Sequence, residues 1–425
     1  MLGNRALMRW QPTIHRVTEN LARLAAGQGD DEVAESWSNA EWRIALVACS
    51  IHGLFPILHQ AAVPAFRRWQ NFLAEQYELT RRRNHRLLAL CEALLIEADR
   101  RGARVMPLKG MDMLVRFYDD SALRSTSDID LLVSPGELAG FTRVALDLGW
   151  APVEETERHT RFVIPPNRIV TMWGEHPANP ITLELHTAIG ERLAGDVVNA
   201  TDEVWREAEK GAWRATKAAL AAPSALMLHL LLHASAHMFR RTLRWIALHD
   251  IHLLSQHMTK ADWRALSDAL ERLKGLWWVH PPMALCERYF PGTFPIGLSE
   301  RARRACPQRL LWCANKPLAA FSHCNLRAGD LPHGLSWARG LPQAANYLMS
   351  VSFPVRSARL YARRSGGSIS SICARSRFYL SRVLASLWPC GLRVGAWEMF
   401  GFLADASPVV SRRSTRRTTA THSDA

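Results

Sequence analysis

The sequence predicts an α+β protein, with a short mixed α/β segment set between two longer helical regions. Three observations carry the prediction. Apolar residues recur at helical spacing between Asp30 and Gly102, strand-like alternation begins at Ala103, and helical spacing returns beyond Ala222. A chain of 425 residues with 48% hydrophobic content can bury a large core, and ordinary domain sizes divide it into two or three units.

The lead-in spans 1–103. Between Pro64 and Arg101, residues Phe66, Trp69, Leu73, Tyr77, Leu87, Leu88, Leu90, Leu94 and Leu95 fall mostly at helical spacings, and Gly102 supplies a stop. The α/β segment, 104–190, opens with ARVMPL as a strand, MDMLVRFY as a short helix, DIDLLV as a second strand and Pro135–Leu148 as a helix. Ser134 and Glu137 stand at capping-box spacing, with Pro135 at the first helical position. Three more strand candidates follow at Arg158–Ile164, Arg168–Trp173 and Ile181–His186, each bounded by Pro, Gly or Asn.

Residues 191–300 read as a helical region. PSALMLHLLLHASAHMF starts at Pro223, LRWIALHDIHLLSQHM follows, and DWRALSDALERLKG runs to Gly275. Residues 301–405 read as basic and mainly helical, and 406–425 as a disordered basic tail.

Net charge is +14, unevenly spread: residues 301–425 hold 19 Lys and Arg against 4 Asp and Glu, which leaves 34 against 35 in the first 300. The basic end, including Arg412, Arg413, Arg416 and Arg417, suits nucleic-acid or anionic-membrane contact, and a merely solvated end explains the same counts. The eight cysteines show no Cys-x-x-Cys pair, which argues against a zinc or disulfide framework and fits a reducing cytoplasm. The start lacks an apolar core of signal-peptide length, and Phe378 to Ala404, the nearest approach to a membrane span, is broken by Arg382, Pro389, Arg393 and Glu398.

Chemistry concentrates in the α/β segment. On a strand, Asp128 and Asp130 point to one face while Ile129 and Leu131 point into the core. Two carboxylates sharing a small space repel, and a divalent cation is the usual reason to keep them together. Magnesium, held by carboxylates and substrate phosphates, is the hard-cation choice. In ITLELHT, Thr182, Glu184 and His186 share one face, so Glu184 becomes a third carboxylate if that strand lies beside the first. Three carboxylates suffice for two metals acting on a triphosphate. Upstream, Lys109 and Gly110 sit where a strand turns into a helix, a place that admits close approach of a phosphate, and Lys109 and Arg124 add positive charge.

The ordered combination of L-K-G, Tyr118, Arg124, S-D-I-D-L-L-V and a helix ending in LDLGW resembles the uncharacterised bacterial nucleotidyltransferase family of the DNA polymerase β superfamily. The resemblance runs on through ITLELH and LLLHASAHMFRRTLRWIALHDIHLL, covering 100–260 most clearly. It implies a minimal nucleotidyltransferase fold, a short mixed sheet with packed helices flanked by helical N- and C-terminal regions. It also implies an enzyme that moves a nucleoside monophosphate from NTP to an acceptor hydroxyl. Carried over by position, the resemblance makes Asp128, Asp130 and Glu184 the catalytic carboxylates for two magnesium ions, with Asp128 and Asp130 as metal ligands and Glu184 bridging the second metal or acting as base; Gly110 is the phosphate-loop glycine, and His233, His237 and Asp250 lie beside the nucleotide pocket. Met111 stands where the wider superfamily has Ser or Gly, and Asp112 stands where a phosphate would arrive. Those two residues motivate an alternative, a degenerate domain that binds nucleotide without turnover. The near-neutral first 300 residues favour a small-molecule or biosynthetic-intermediate acceptor.

Other constellations carry rival readings. His229, His233 and His237 stack on one helix face, as transition-metal ligands or, more commonly, as a packed seam. Arg244 suits a phosphate, whereas Trp245 suits the core. Sixteen tryptophans suggest single-strand stacking, but Trp205 and Trp263 occupy apolar helical positions. No Gly-x-Ser-x-Gly elbow and no dinucleotide fingerprint is present.

Overall fold

Helical spacing in the lead-in becomes helix: α1 (Asn4–Ala25), α2 (Asp31–Glu35), α3 (Asn39–His52), α4 (Phe55–Gln60) and, after a 3-10 turn at Pro64–Trp69, the long α5 (Gln70–Arg100). The structure, a computed structural model, describes residues 4–155, 159–165, 168–171, 174–315, 326–327, 330–352 and 391–392. Ser38 and Glu41 close a capping box at the start of α3, and Gly102 takes the left-handed conformation just beyond α5.

The α/β segment supplies β1 (Val105–Pro107), α6 (Lys109–Arg116), β2 (Asp128–Val133), α7 (Leu138–Asp147), β3 (Ala151–Glu155), β4 (His159–Val163) and β5 (Thr182–His186). These strands form one mixed sheet in the order β1-β2-β5-β4-β3. Only β2 and β5 pair in parallel; the other neighbours are antiparallel. The period-2 alternation then sorts the side chains. Ile129, Leu131, Leu183, Leu185 and Phe162 are fully buried in a core shared with Leu87, Leu94 and Leu95 of α5 and Phe141 and Val144 of α7. The opposite face keeps its carboxylates and looks toward later helices.

Three expectations fail here for physical reasons. Residues 168–171 form a loop and no strand, because the Asn179 side chain accepts from the Val170 and Thr171 amides and donates to the Thr171 carbonyl. The remainder of that expected strand, residues 172 and 173, lies outside the described residues. The Ser134 capping box does not form. Its hydroxyl donates to Glu137, whose other oxygen accepts from the Arg104 amide, and α7 starts only at Leu138 after a 3-10 turn.

Residues 191–220, expected within a helical region, belong to two hairpins instead, β6 (Gly190–Leu193) with β7 (Asp196–Asn199) and β8 (Glu209–Trp213) with β9 (Thr216–Leu220), separated by α8 (Thr201–Arg206). The first turns on Ala194 and Gly195, both at positive φ, and the second on Arg214 at φ 53°. Beyond them the expected helices appear: α9 (Pro223–Arg240), α10 (Trp245–Ser255), α11 (Lys260–Arg272), α12 (Leu276–Tyr289), α13 (Ile296–Ala305) and α14 (Gln308–Ala314). Trp245, Trp278, Leu231 and Leu248 share one large core with Leu21, Trp42 and Phe66, so the two flanking helical regions pack together. Trp205 and Trp263 lie against it, as their spacing implies.

Helices at Asp330–Ser336 and Leu341–Ser352 continue the C-terminal region. Within the stretch from Phe378 to Ala404, residues 378–390 and 393–404 lie outside the described residues, and so does the tail 406–425. Among the described residues, no helix is long and apolar enough to cross a membrane.

Candidate active site

Parallel register between β2 and β5 sets Asp128 opposite Thr182, Asp130 opposite Glu184 and Leu132 opposite His186. The expected adjacency of the two strands is therefore real, and it brings Asp130 and Glu184 side by side on the open face. His186 joins them: its Nε2 lies 2.8 Å from Asp130 Oδ1 and 3.5 Å from Glu184 Oε2. Asp130, Glu184 and His186 each offer a ligand atom within 4.8 Å of the others, the one such cluster among the described residues. Asp128 stands next to this cluster and outside it. Strand alternation alone puts His186 on the face of Glu184, but its place in the ligand cluster follows only from the register.

Lys109 Nζ lies 3.3 Å from Asp130 Oδ2. Burial raises the Asp130 pKa, but Lys109 and His186 outweigh it and hold the carboxyl far below the usual carboxylate range. Asp128 is pushed up, first by burial and then by the Asp130 charge. Two neighbouring carboxylates that differ in this way offer oxygen ligands to a divalent cation.

Lys109 begins α6 at φ 42°, a left-handed conformation that strains a side-chain-bearing residue. Gly110 follows it for a steric reason. A Cβ there would lie 2.5 Å from Arg124 Nη1 and 3.2 Å from Thr126 Cγ2, so the absence of a side chain makes room for a buried guanidinium. Met111 is fully buried in the sheet core, and Asp112 turns away to pair with Arg116 at 2.8 Å. Burial raises the Asp112 pKa to about 6. Neither residue lines the cleft, so Asp112 does not oppose an incoming phosphate.

Arg124 is held from below. Its Nε and Nη2 donate to both Asp250 oxygens at 2.7–3.1 Å and Nη1 donates to Thr126 Oγ1 at 2.6 Å. Tyr118 donates to Asp250 at 2.9 Å and meets His249 Nδ1 at 2.8 Å. This clamp ties the segment before β2 to α10. A second tie is not evident in the sequence. Arg83 of α5, 2% exposed, donates to the carbonyls of Thr126, Ser127, His176, Asn179 and Pro180 at 2.7–3.4 Å and pairs with Glu175 at 3.0 Å. It fixes the entries to both β2 and β5, the two strands that carry the carboxylates. The Arg-Arg-Arg-Asn-His-Arg run around Arg83 reads as a solvated face; the one available signal is that Arg83 falls four residues before Leu87, on the buried stripe.

Two cavities meet at this face. One, of roughly 320 Å³, is lined by Lys109, Gly110, Arg124, Asp128, Asp130 and Arg244, among others. Arg244 donates to the Ile51 carbonyl at 2.8 Å and, among the described residues, has no carboxylate partner. The other, of roughly 200 Å³, is lined by His229, His233 and His237 of α9 and by the β6 end. Lys109, Glu184, His233 and His237 wall both. Burial lowers the pKa of all three α9 histidines, His237 to about 4, so the row is neutral at ordinary pH. The row therefore lines the cleft instead of a packed seam, and among the described residues it forms no cluster that would hold a metal. His233, His237 and Asp250 all border the larger cavity.

A profile of the family described as "Uncharacterised nucleotidyltransferase" matches residues 38–291, more than half of the chain. The chain belongs to that uncharacterised nucleotidyltransferase family. The matched span reaches from α3 to α12, so it takes in the helices that carry Arg83, the histidine row and Asp250 as well as the sheet. No curated protein matches the chain. Membership supports nucleotidyl transfer from an NTP, and the acidic cluster suits the divalent metal that such transfer uses.

Proposed function

We propose that the protein is a magnesium-dependent nucleotidyltransferase that moves a nucleoside monophosphate from an NTP to a hydroxyl of a small-molecule acceptor. The observation that carries the proposal is the register-enforced cluster of Asp130, Glu184 and His186, with Asp128 beside it, opening on a cavity walled by Lys109, Arg124 and Arg244. Anionic donors on one side and cations on the other are what a metal-bound triphosphate requires.

The donor set fits the ion. Asp128, Asp130 and Glu184 provide hard oxygen ligands on one sheet face, with capacity for two ions. Bound there, magnesium would neutralise triphosphate oxygens and polarise the α-phosphorus. The chain's own groups account for the rest. Lys109 and Arg244 place cations against the phosphates, and Gly110 lets the α6 N-terminus approach them. Arg124, fully engaged with Asp250, contributes fixed charge and positions the segment before β2. The acceptor oxygen bonds to the α-phosphorus as the bond from that phosphorus to the bridging oxygen breaks. Diphosphate leaves, and the hydroxyl proton passes to water in the cleft.

Incubation with α-labelled NTP and a small-molecule cell extract tests the proposal. The wild type is expected to transfer label, and Asp128→Asn or Asp130→Asn to abolish transfer while the fold melts cooperatively as before. Wild-type-like transfer by either variant would overturn the assignment.

A further inference from the structure

The smaller cavity carries an inference about the acceptor, which rests on the nucleotidyl-transfer reading above. Its position is the first point. It shares Lys109 and Glu184 with the larger, cation-walled cavity, so a molecule seated in it touches the same carboxylate edge from the other side. A triphosphate that fills the larger cavity leaves this one for the second substrate.

Its lining is the second point. Each charged group at its wall has a partner: Arg240 pairs with Glu191, Lys109 with Asp130, and Glu184 with His186 at 3.5 Å. The histidine row adds polar groups without formal charge. His229, 5% exposed, has a buried Nδ1 with no partner among the described residues, and His233 makes no side-chain hydrogen bond to any described residue. His233 and His237 lie with ring centroids 4.1 Å apart, presenting neutral imidazoles side by side. Each neutral imidazole has one donor and one acceptor nitrogen, the complement of a run of hydroxyls. Buried, unpartnered ring nitrogens would penalise an apolar guest.

Size is the third point. Roughly 200 Å³ lies below the range of about 300–1,000 Å³ usual for drug-sized ligands, which leaves room for a molecule of monosaccharide size.

We infer that the cavity walled by His229, His233 and His237 is the acceptor seat, and that it takes a small, uncharged, polyhydroxylated molecule.

The test fractionates the small molecules of a cell extract on cation- and anion-exchange resins and offers each fraction, with α-labelled NTP, to the full-length protein. Label should enter only products from the fraction that passes both resins, and periodate treatment of that fraction, which cleaves vicinal diols, should abolish it. Ala188→Phe, placed in the wall of this cavity and absent from the other, should lower transfer at least about tenfold while nucleotide affinity stays within about twofold. Gly190→Val is a second plug, because its added Cβ meets nothing nearer than the Val198 carbonyl at 3.5 Å. Label in a resin-bound or macromolecular fraction would overturn the inference and leave nucleotidyl transfer standing. So would full transfer by both plugged variants. Loss of nucleotide binding in the wild type would instead overturn the functional reading beneath it.

Discussion

The ammonium of Lys109 rests 3.3 Å from Asp130 Oδ2, although the two residues are 21 positions apart and belong to different elements. It occupies one side of the carboxylate that a divalent cation would share. Lys109→Met is therefore expected to tighten manganese binding in the absence of nucleotide about tenfold, an increment of about 1.4 kcal/mol, and to weaken NTP binding. Manganese titration followed by electron paramagnetic resonance reads the first effect and calorimetry the second. Unchanged metal affinity would show that Lys109 does not compete for Asp130.

Gly110 is sterically committed to Arg124. Gly110→Ala sets a Cβ 2.5 Å from Arg124 Nη1, so the guanidinium must leave its place beside Thr126. We expect a loss of about 1–3 kcal/mol in stability and weaker nucleotide binding. Thermal melting checks the first, and an unchanged melting temperature would mean that Arg124 relocates without cost.

Asp250 carries the other half of that clamp. Asp250→Asn leaves Arg124 buried without its counter-charge and should cost about 3–5 kcal/mol. Arg124→Lys should not preserve the wild-type level, since an ammonium cannot donate to both Asp250 oxygens and to Thr126 in the same planar fork. Urea denaturation separates these outcomes; equal midpoints for Arg124→Lys and the wild type would refute the bidentate account.

Much of this site is legible in the sequence, and the reasons are local. DIDL and TLELH alternate polar with apolar residues, so the common face of Asp128 and Asp130, and that of Glu184 and His186, follow from strand periodicity alone. Their register does not, because it depends on which strands pair and in which direction. Arg83 is hidden inside a basic run that resembles a solvated face. The hairpins of 190–220 are hidden because Ala194–Gly195 and Arg214–Ala215 are weak turn dipeptides, in which non-glycine residues take positive φ. Ser134 and Glu137 have the right spacing for a cap, but the Arg104 amide claims one Glu137 oxygen.

Acid should destabilise the fold before ordinary carboxylates titrate. Burial lowers His52 to about 3 and His237 and His249 to about 4, against an unfolded value of about 6.5. Their folded values are depressed, so the unfolded chain takes up these protons first. The contribution is complete above pH 6.5 and is lost as pH falls toward 4, at roughly 1.4 kcal/mol per pH unit for each histidine inside that window. Urea midpoints at pH 7.5, 6.0 and 5.0 should fall in that order, and His249→Asn should make the fall shallower. Equal midpoints across the range would contradict neutral burial of these rings.

The central claim, that Asp128 and Asp130 share a strand face to hold a metal-bound triphosphate, is tested most directly by calorimetric titration of each NTP with and without magnesium. The wild type and the Asp128→Asn/Asp130→Asn double variant are run in parallel. The account predicts magnesium-dependent binding by the wild type that the double variant loses. Equal binding by both proteins, or binding indifferent to magnesium, would contradict it.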